Sequence, residues 1–373
     1  MNTTAKPRKV QHVGIIGGGL MGSGIATAMI LAGVNVLLKE ISENALQAGI
    51  GRVQTNLQSS FKKGKLTKAK LEAAMARLQG TLDYSEFGKL DMVIEAVIES
   101  IPLKQKIFAD LEKECRPDCI LSTNTSTINI DIVAEKLSPS ARSRVCGAHF
   151  FSPAHVMPLF EIVRTKSTDA NVLGDAVALG KRIKKTPVVV GNCTGFAVNR
   201  VFFPYTMAAC LLLDAGKDPY SVDKVIKSFG FPMGPFRLTD LVGGDIGLHV
   251  AGSYIRDFSE RVYESKVIPL LNEAKRLGEK TGSGFYVFEG RGKAREDSKS
   301  LAPFLYKSRT MASLSLSCQR RVAEMTNEEI VEVVLFPVVN EACRVLNEGI
   351  VDSASDLDVC GVLGMGFPPY RYV

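Results

Sequence analysis

Residues 10–42 read VQHVGIIGGGLMGSGIATAMILAGVNVLLKEIS. A short β-branched run, His12–Ile16, ends in glycines, a helical pattern follows, and a second apolar run, Val34–Leu38, closes at Lys39-Glu40. That alternation is what a βαβ unit requires. Gly17, Gly19 and Gly22 give the spacing G-x-G-x-x-G. Gly17 permits the tight turn, Gly19 lets a pyrophosphate approach the backbone, and Gly22 allows close helix–strand packing. The helix start offers free N–H groups and the positive end of its dipole. Glu40, ending the second strand, can accept hydrogen bonds from ribose hydroxyls and repel a 2′-phosphate, so the site should take NAD rather than NADP. Lys39 pulls the other way, since a basic residue suits a 2′-phosphate. The rival reading, a structural glycine turn, is weakened because strand, helix and acid all follow in order.

Working outward, further buried-strand candidates are MVIEAV (92–97), CILSTNTS (119–126), RVCGAHFF (144–151), LFEIVR (159–164) and TPVVVGN (186–192), most separated by helical patterns. This texture predicts a largely parallel sheet covered on both faces. From Thr194 onward the patterns are mainly helical, and they repeat. FPYTMAACLLLDAGKDPYSVDKV (203–225) superimposes on FPVVNEACRVLNEGIVDSASDLDV (336–359) at an offset of 133 residues. Phe203, Pro204, Ala209, Cys210, Gly216 and Asp223 meet Phe336, Pro337, Ala342, Cys343, Gly349 and Asp356. The expected architecture is an α/β Rossmann-type dinucleotide-binding domain followed by an all-α region built from a duplicated helical unit. Its boundaries are placed at 1–192, 193–290, a polar linker at 291–325 around EGRGKAREDSKS, and a shorter second repeat at 326–373. Two copies of one unit could pack around a pseudo-twofold axis, as a dimer interface would. Because the second copy stops early, apolar helix faces left uncovered would invite a homodimer instead.

Composition narrows the classes. A chain of 373 residues with 46% hydrophobic and 23% charged residues has the balance of a globular protein of two or three domains. No apolar run reaches the ~20 residues of a membrane span, and no signal-peptide core precedes the glycines. Eight cysteines without a C-x-x-C pair, beside four histidines, suggest reduced thiols and no metal site. The net charge of +7 gathers in KKGKLTKAK (62–70) and KRIKKTP (181–187), with no nucleic-acid motif beside it. Solvated helix faces explain those runs, and a phosphate-bearing metabolite is the sharper alternative.

HFFSPAHVMPLFE (149–161) holds two of the four histidines. If 144–151 and 159–164 turn back beside each other through the Pro153–Pro158 loop, His149 and Glu161 lie opposite. That arrangement suits a histidine base oriented by a carboxylate. Spacing alone leaves a structural histidine equally open, and the nucleotide motif upstream tips the balance to catalysis. His155, mid-loop, is the weaker base candidate. STNTS (122–126) ends a buried strand where ligands bind in such sheets, and GNCTGFAVNR (191–200) places Asn199 where the helical half begins. A plain turn and a helix cap are the competing readings of these two.

With these motifs assembled, the chain resembles the L-3-hydroxyacyl-CoA dehydrogenase family, and within it the dehydrogenase part of multifunctional β-oxidation proteins of the plant peroxisomal type. The resemblance rests on GIIGGGLMGSGIA, VIEAVIE, STNTST, GAHFFSPAHVMPLFEIV, TPVVVGNCTGFAVNR, GFPMGPFRLTDLVG and KTGSGFYVF. It implies His149 as base, Glu161 as its orienting carboxylate, and Ser126 and Asn199 at the substrate oxygen and thioester. It also implies NAD contacts from Gly17, Gly19, Leu20, Met21, Gly22, Glu40, Glu99, Lys104, Ser126, Ser152 and Lys280, and acyl-CoA contacts from Asn56 and Lys63. Ser152 replaces the asparagine of single-function members, as in the multifunctional branch. The implied reaction oxidises (S)-3-hydroxyacyl-CoA to the 3-oxoacyl thioester with NAD⁺.

The family's hydratase part does not precede residue 10, so hydratase and isomerase activity is not expected. A peroxisomal location follows from the resemblance, since PPYRYV is not an S-K-L-type address; without it the expectation is cytoplasmic. No nucleic acid or membrane partner is expected. Two rivals stand beside this reading. One is a β-hydroxyacid dehydrogenase acting on a small free acid, whose usual base is a lysine. The other is a truncated NAD-binding isoform without turnover.

Overall fold

β-branched runs bounded by glycine, proline and polar clusters form strands because their stiff side chains suit a pleated, buried surface. The computed structural model describes residues 6–290 and 292–371. Residues 1–5, Arg291 and Tyr372–Val373, on which parts of the expected first domain, linker and second repeat fall, lie outside the described residues. Two compact units emerge: one of residues up to Phe196 plus Ile350–Gly364, the other of Ala197–Gly349 plus the residues from Met365.

The first unit runs β1 (His12–Ile16), α1 (Leu20–Leu31), β2 (Asn35–Lys39), α2 (Glu43–Lys62), α3 (Lys68–Met75), β3 (Leu78–Thr81) and β4 (Met92–Glu95). It continues with α4 (Ile101–Glu114), β5 (Ile120–Thr123), the short α5 (Ile130–Ala134) and α6 (Pro139–Arg142), β6 (Val145–Phe150), β7 (Leu159–Arg164), α7 (Ala170–Arg182) and β8 (Thr186–Gly191). The eight strands make one sheet in the order β3-β2-β1-β4-β5-β6-β7-β8. Every neighbouring pair is parallel except β6–β7. Val13, Ile15, Ile94, Ile120 and Ile162 have no exposed surface, as helices on both faces demand. Helix α1 is buried from Gly22 to Ile30, hence its nearly all-apolar sequence. At Gly24 a Cβ would stand 3.1 Å from that of Ala154, so the small residue brings the 151–158 connection against α1.

β3 is not foreseen by sequence. LQGT lacks a β-branched run, and it is a half-exposed edge strand that forms because β2 offers it an open ladder.

The second unit contains α8 (Val198–Asp214), α9 (Pro219–Phe229), α10 (Pro235–Val242), α11 (Gly244–Asp257), α12 (Val267–Glu273), the two-residue strands β9 (Val287–Phe288) and β10 (Ala294–Arg295), α13 (Ser298–Ala312), α14 (Leu316–Ala323) and α15 (Asn327–Asn347). The duplication is visible in it. α8 and α15 each carry an internal proline, Pro204 and Pro337, and each is followed by a glycine at positive φ, Gly216 at 114° and Gly349 at 67°. These two helices form the most extensive helix pair of the unit. Buried between them, Arg200 meets Glu341 at 2.8 Å and Glu348 at 2.6 Å, and Arg261 reaches Glu341 at 3.0 Å.

The expected linker is corrected. Most of 291–325 is helical, in α13 and α14. Its polar composition belongs to a helix with one buried stripe: Ser308 donates to Asp214 at 2.5 Å and Arg309 to the Leu213 carbonyl at 2.8 Å. The expected repeat at 326–373 is also divided. Its final helix, α16 (Ala354–Cys360), falls in the first unit, where Gly191 N–H donates to the Ile350 carbonyl at 2.6 Å and Arg164 pairs with Asp352. Among the described residues no helix is long and apolar enough to cross a membrane.

Candidate active site

The antiparallel pair β6–β7 sets the centre. Its register places His149 directly opposite Glu161, and directly opposed residues share one face of a sheet. His149 Nδ1 donates to Glu161 Oε2 at 2.7 Å, with the imidazole 5% exposed and the carboxylate 0%. This bond assigns the proton to Nδ1 and leaves the Nε2 lone pair to act as a base. The rings of Phe151 and Phe196 stand 4.5 and 5.6 Å from the imidazole, so the ion pair formed when His149 takes a proton is poorly hydrated and strong. The Phe150 N–H, next along the strand, donates to Asn124 Oδ1 at 2.9 Å and ties β6 to the end of β5.

That strand end carries the second cluster. Glu99 accepts from Thr125 Oγ1 at 3.0 Å and from the Ser126 N–H at 3.2 Å, which fixes the backbone of Ser126. Lys104, expected as a cofactor contact, is only 1% exposed. Its ammonium lies 2.8 Å from Glu95 and 3.3 Å from Glu99, so it positions Glu99. Glu95, with no exposed surface, also accepts from Thr123 Oγ1 and the Val97 N–H, each at 2.7 Å. Sequence reasoning flagged the STNTS stretch without singling out Asn124 or Thr125, and it missed Glu95. Glu95 had the signal that singled out Glu161, an acid inside an apolar strand.

At the glycine turn, Gly17 has φ 99°, and a Cβ there would stand 2.7 Å from the Ala96 carbonyl oxygen. One on Gly22 would stand 1.8 Å from the Gly17 oxygen, whereas one on Gly19 meets nothing within 4 Å. The turn is thus closed beneath and open above, at the N-cap of α1, where Leu20 is 70% exposed and Met21 half-buried. Such a cradle fits a dinucleotide pyrophosphate. Glu40 Oε1 accepts from the Gly18 N–H at 2.6 Å, at the rim of that cradle. Lys39 is largely buried with its ammonium 4.5 Å from the centre of the Tyr84 ring, and burial holds its pKa below the usual lysine range.

Of the remaining expected residues, Ser152 is exposed just beyond β6 and Lys63 is exposed at the end of α2. Asn56 donates to Thr27 Oγ1 at 3.2 Å and lines a cleft of about 510 Å³ between α1, α2 and the 151–158 connection. Asn199 is the second residue of α8, and Lys280 pairs with Asp245; both belong to the helical unit. Among the described residues no cluster of His, Cys, Asp or Glu could hold a metal.

Residues 12–193 match the family model "3-hydroxyacyl-CoA dehydrogenase, NAD binding domain", and residues 195–288 match "3-hydroxyacyl-CoA dehydrogenase, C-terminal domain". A peroxisomal fatty acid beta-oxidation multifunctional protein of Arabidopsis thaliana is 55% identical over 98% of this chain and 50% of its own length. A glyoxysomal counterpart of Brassica napus is 56% identical over the same shares. The chain thus spans about half the length of these relatives. The crystal structure of 3-hydroxybutyryl-CoA dehydrogenase from Escherichia coli superimposes with a TM-score of 0.82 at 29% identity, covering 98% of this chain and 90% of that one.

Proposed function

The chain belongs to the 3-hydroxyacyl-CoA dehydrogenase family, and from that premise we propose that it oxidises (S)-3-hydroxyacyl-CoA to 3-oxoacyl-CoA. The observation that carries this reading is the His149–Glu161 pair at 2.7 Å, buried on β6 and β7 of the same sheet whose β1 leads into the dinucleotide turn. NAD⁺, which the Gly17–Gly22 turn would hold with Glu40 at its rim, would supply the hydride acceptor for C3 of the substrate. His149 Nε2 removes the hydroxyl proton, and Glu161 holds the ring in the required tautomer and stabilises the imidazolium. Glu99, kept in place by Lys104, holds the Ser126 backbone so that its hydroxyl can position the substrate oxygen. Roles for Asn199 at the thioester and for Lys280 and Ser152 at the cofactor are supported by sequence resemblance.

Oxidation of NADH by acetoacetyl-CoA, followed by its absorbance, tests the reverse reaction. A chain that binds NADH but turns over no acetoacetyl-CoA would sink the proposal. By the names of its plant relatives we assign the chain to the peroxisome, and we read the α8–α15 pair as an internal pseudo-dimer.

The glycine turn gives a paired expectation. Gly19→Ala adds a methyl that meets no protein atom, so its melting temperature should match wild type while NAD affinity falls about tenfold or more, a loss of at least ~1.4 kcal/mol. Gly22→Ala drives a methyl into the Gly17 carbonyl and should destabilise the fold as well. Calorimetry with and without NAD separates the two, and unchanged NAD affinity in Gly19→Ala would move the pyrophosphate elsewhere.

A further inference from the structure

His155 is absorbed by none of the roles above. It sits in the 151–158 connection and lines the 510 Å³ cleft together with Ser23, Arg52, Thr55 and Asn56. Its Nδ1 is buried and has no hydrogen-bond partner. A buried ring nitrogen without a partner is costly and normally has a use. The loop is braced on both sides of it. Val156 and Met157 N–H groups donate to the Pro153 carbonyl at 2.8 and 3.0 Å, and Lys185 Nζ donates to the Met157 carbonyl at 2.5 Å.

The surroundings are cationic. Arg52 donates to the Gly18 carbonyl at 3.0 Å. Burial pushes Lys185 down to about 8. Burial first, then Lys185 and Lys63, holds His155 below the usual histidine range. Among the described residues, Arg52, Lys63 and Lys185 form no salt bridge with a carboxylate. On the α2 side, Ala48 and Gly51 leave the cleft open. The cleft thus brings a partnerless imidazole and the Arg52 guanidinium together, with the charges of Lys185 and Lys63 acting on His155 from outside its lining.

We propose that His155 binds a phosphoryl group of the coenzyme A portion of the substrate, with Arg52 and Lys63 supplying positive charge beside it. The ligand's identity rests on the function proposed above; its phosphoryl chemistry rests on the cleft. Within the proposed reaction, the phosphate-bearing end of the thioester is the anionic part of the substrate available to this cleft. His155 is therefore a recognition residue for the handle of the substrate and has no part in proton transfer.

The test compares wild type with His155→Leu and His155→Asn, the latter retaining a hydrogen-bond donor. Substrates are acetoacetyl-CoA and acetoacetyl-pantetheine, which lacks the nucleotide phosphates. Expected for His155→Leu is a rise of about tenfold in KM for acetoacetyl-CoA, the scale of a lost hydrogen bond to a charged group, with kcat held. The pantetheine thioester and NADH should show unchanged KM, and His155→Asn should recover part of the loss. An equal rise for both thioesters, no rise at all, or a rise for NADH alone overturns the proposal, the last assigning the group to the dinucleotide pyrophosphate. Titration of free coenzyme A against both chains separates the two readings. Binding weakened by His155→Leu in a chain without turnover keeps this inference and sinks the proposed reaction; turnover with coenzyme A binding indifferent to His155 does the reverse.

Discussion

His149→Gln lowers kcat with acetoacetyl-CoA by about 10²–10⁴-fold, the contribution of a positioned general base, while the Kd for NADH stays near the wild-type value. The separation follows from geometry. His149 stands on β6, bonded to Glu161 and walled by Phe151 and Phe196, whereas the dinucleotide turn lies between β1 and α1. Glutamine keeps a polar side chain of similar reach but has no basic nitrogen. Glu161→Gln is expected to fall in between, because an amide can still accept from Nδ1 but no longer stabilises the imidazolium. Single-turnover kinetics with prebound NADH check both. A His149→Gln chain with near-wild-type turnover would remove the imidazole from the chemistry.

Lys104→Met is the expected largest loss of stability, about 3–5 kcal/mol, the cost of leaving a buried charge without its partner. Glu95 has no exposed surface, and Lys104 is the only cation paired with it among the described residues. Methionine fills the volume of the lysine stem, so the loss measures the charge rather than a cavity. The double change Glu95→Gln/Lys104→Met should recover most of it, since the amide oxygen can accept from the Val97 N–H while its NH2 donates to the Thr123 hydroxyl. Urea unfolding of the three variants decides the matter, and a Lys104→Met chain as stable as wild type would show that Glu95 is held neutral. The same change frees Glu99, so KM for the thioester should rise even where folding is restored.

The sheet was legible where the chain is fully buried. β1, β4, β6 and β7 announce themselves as apolar runs because both faces are covered, and the register of His149 against Glu161 followed from the symmetry of the two runs about residue 155. The edge strand LQGT was not legible, since its partner rather than its composition makes it a strand. Nor was the helical character of 298–323, where a polar sequence hides one buried stripe. At the site, sequence pointed to Glu161 but not to Glu95, which is equally an acid in an apolar strand. What differed was context: a histidine opposite Glu161 prompted a question, while the partner of Glu95 lies nine residues away on a helix. Lys104 illustrates the limit of transferring roles by position, because its alignment says where it lies and only burial says through which group it acts.

The register of β6 on β7 is carried by five paired residues and by β8 beyond them, so substitutions in the 151–158 connection that keep its length can accumulate without sliding His149 past Glu161. Reaction and recognition are inherited here on separate terms: the strands preserve one chemistry, and the loop between them is free to be rewritten for a different thioester handle. For an engineer, the connection is where new specificity can be selected without first having to rebuild the base.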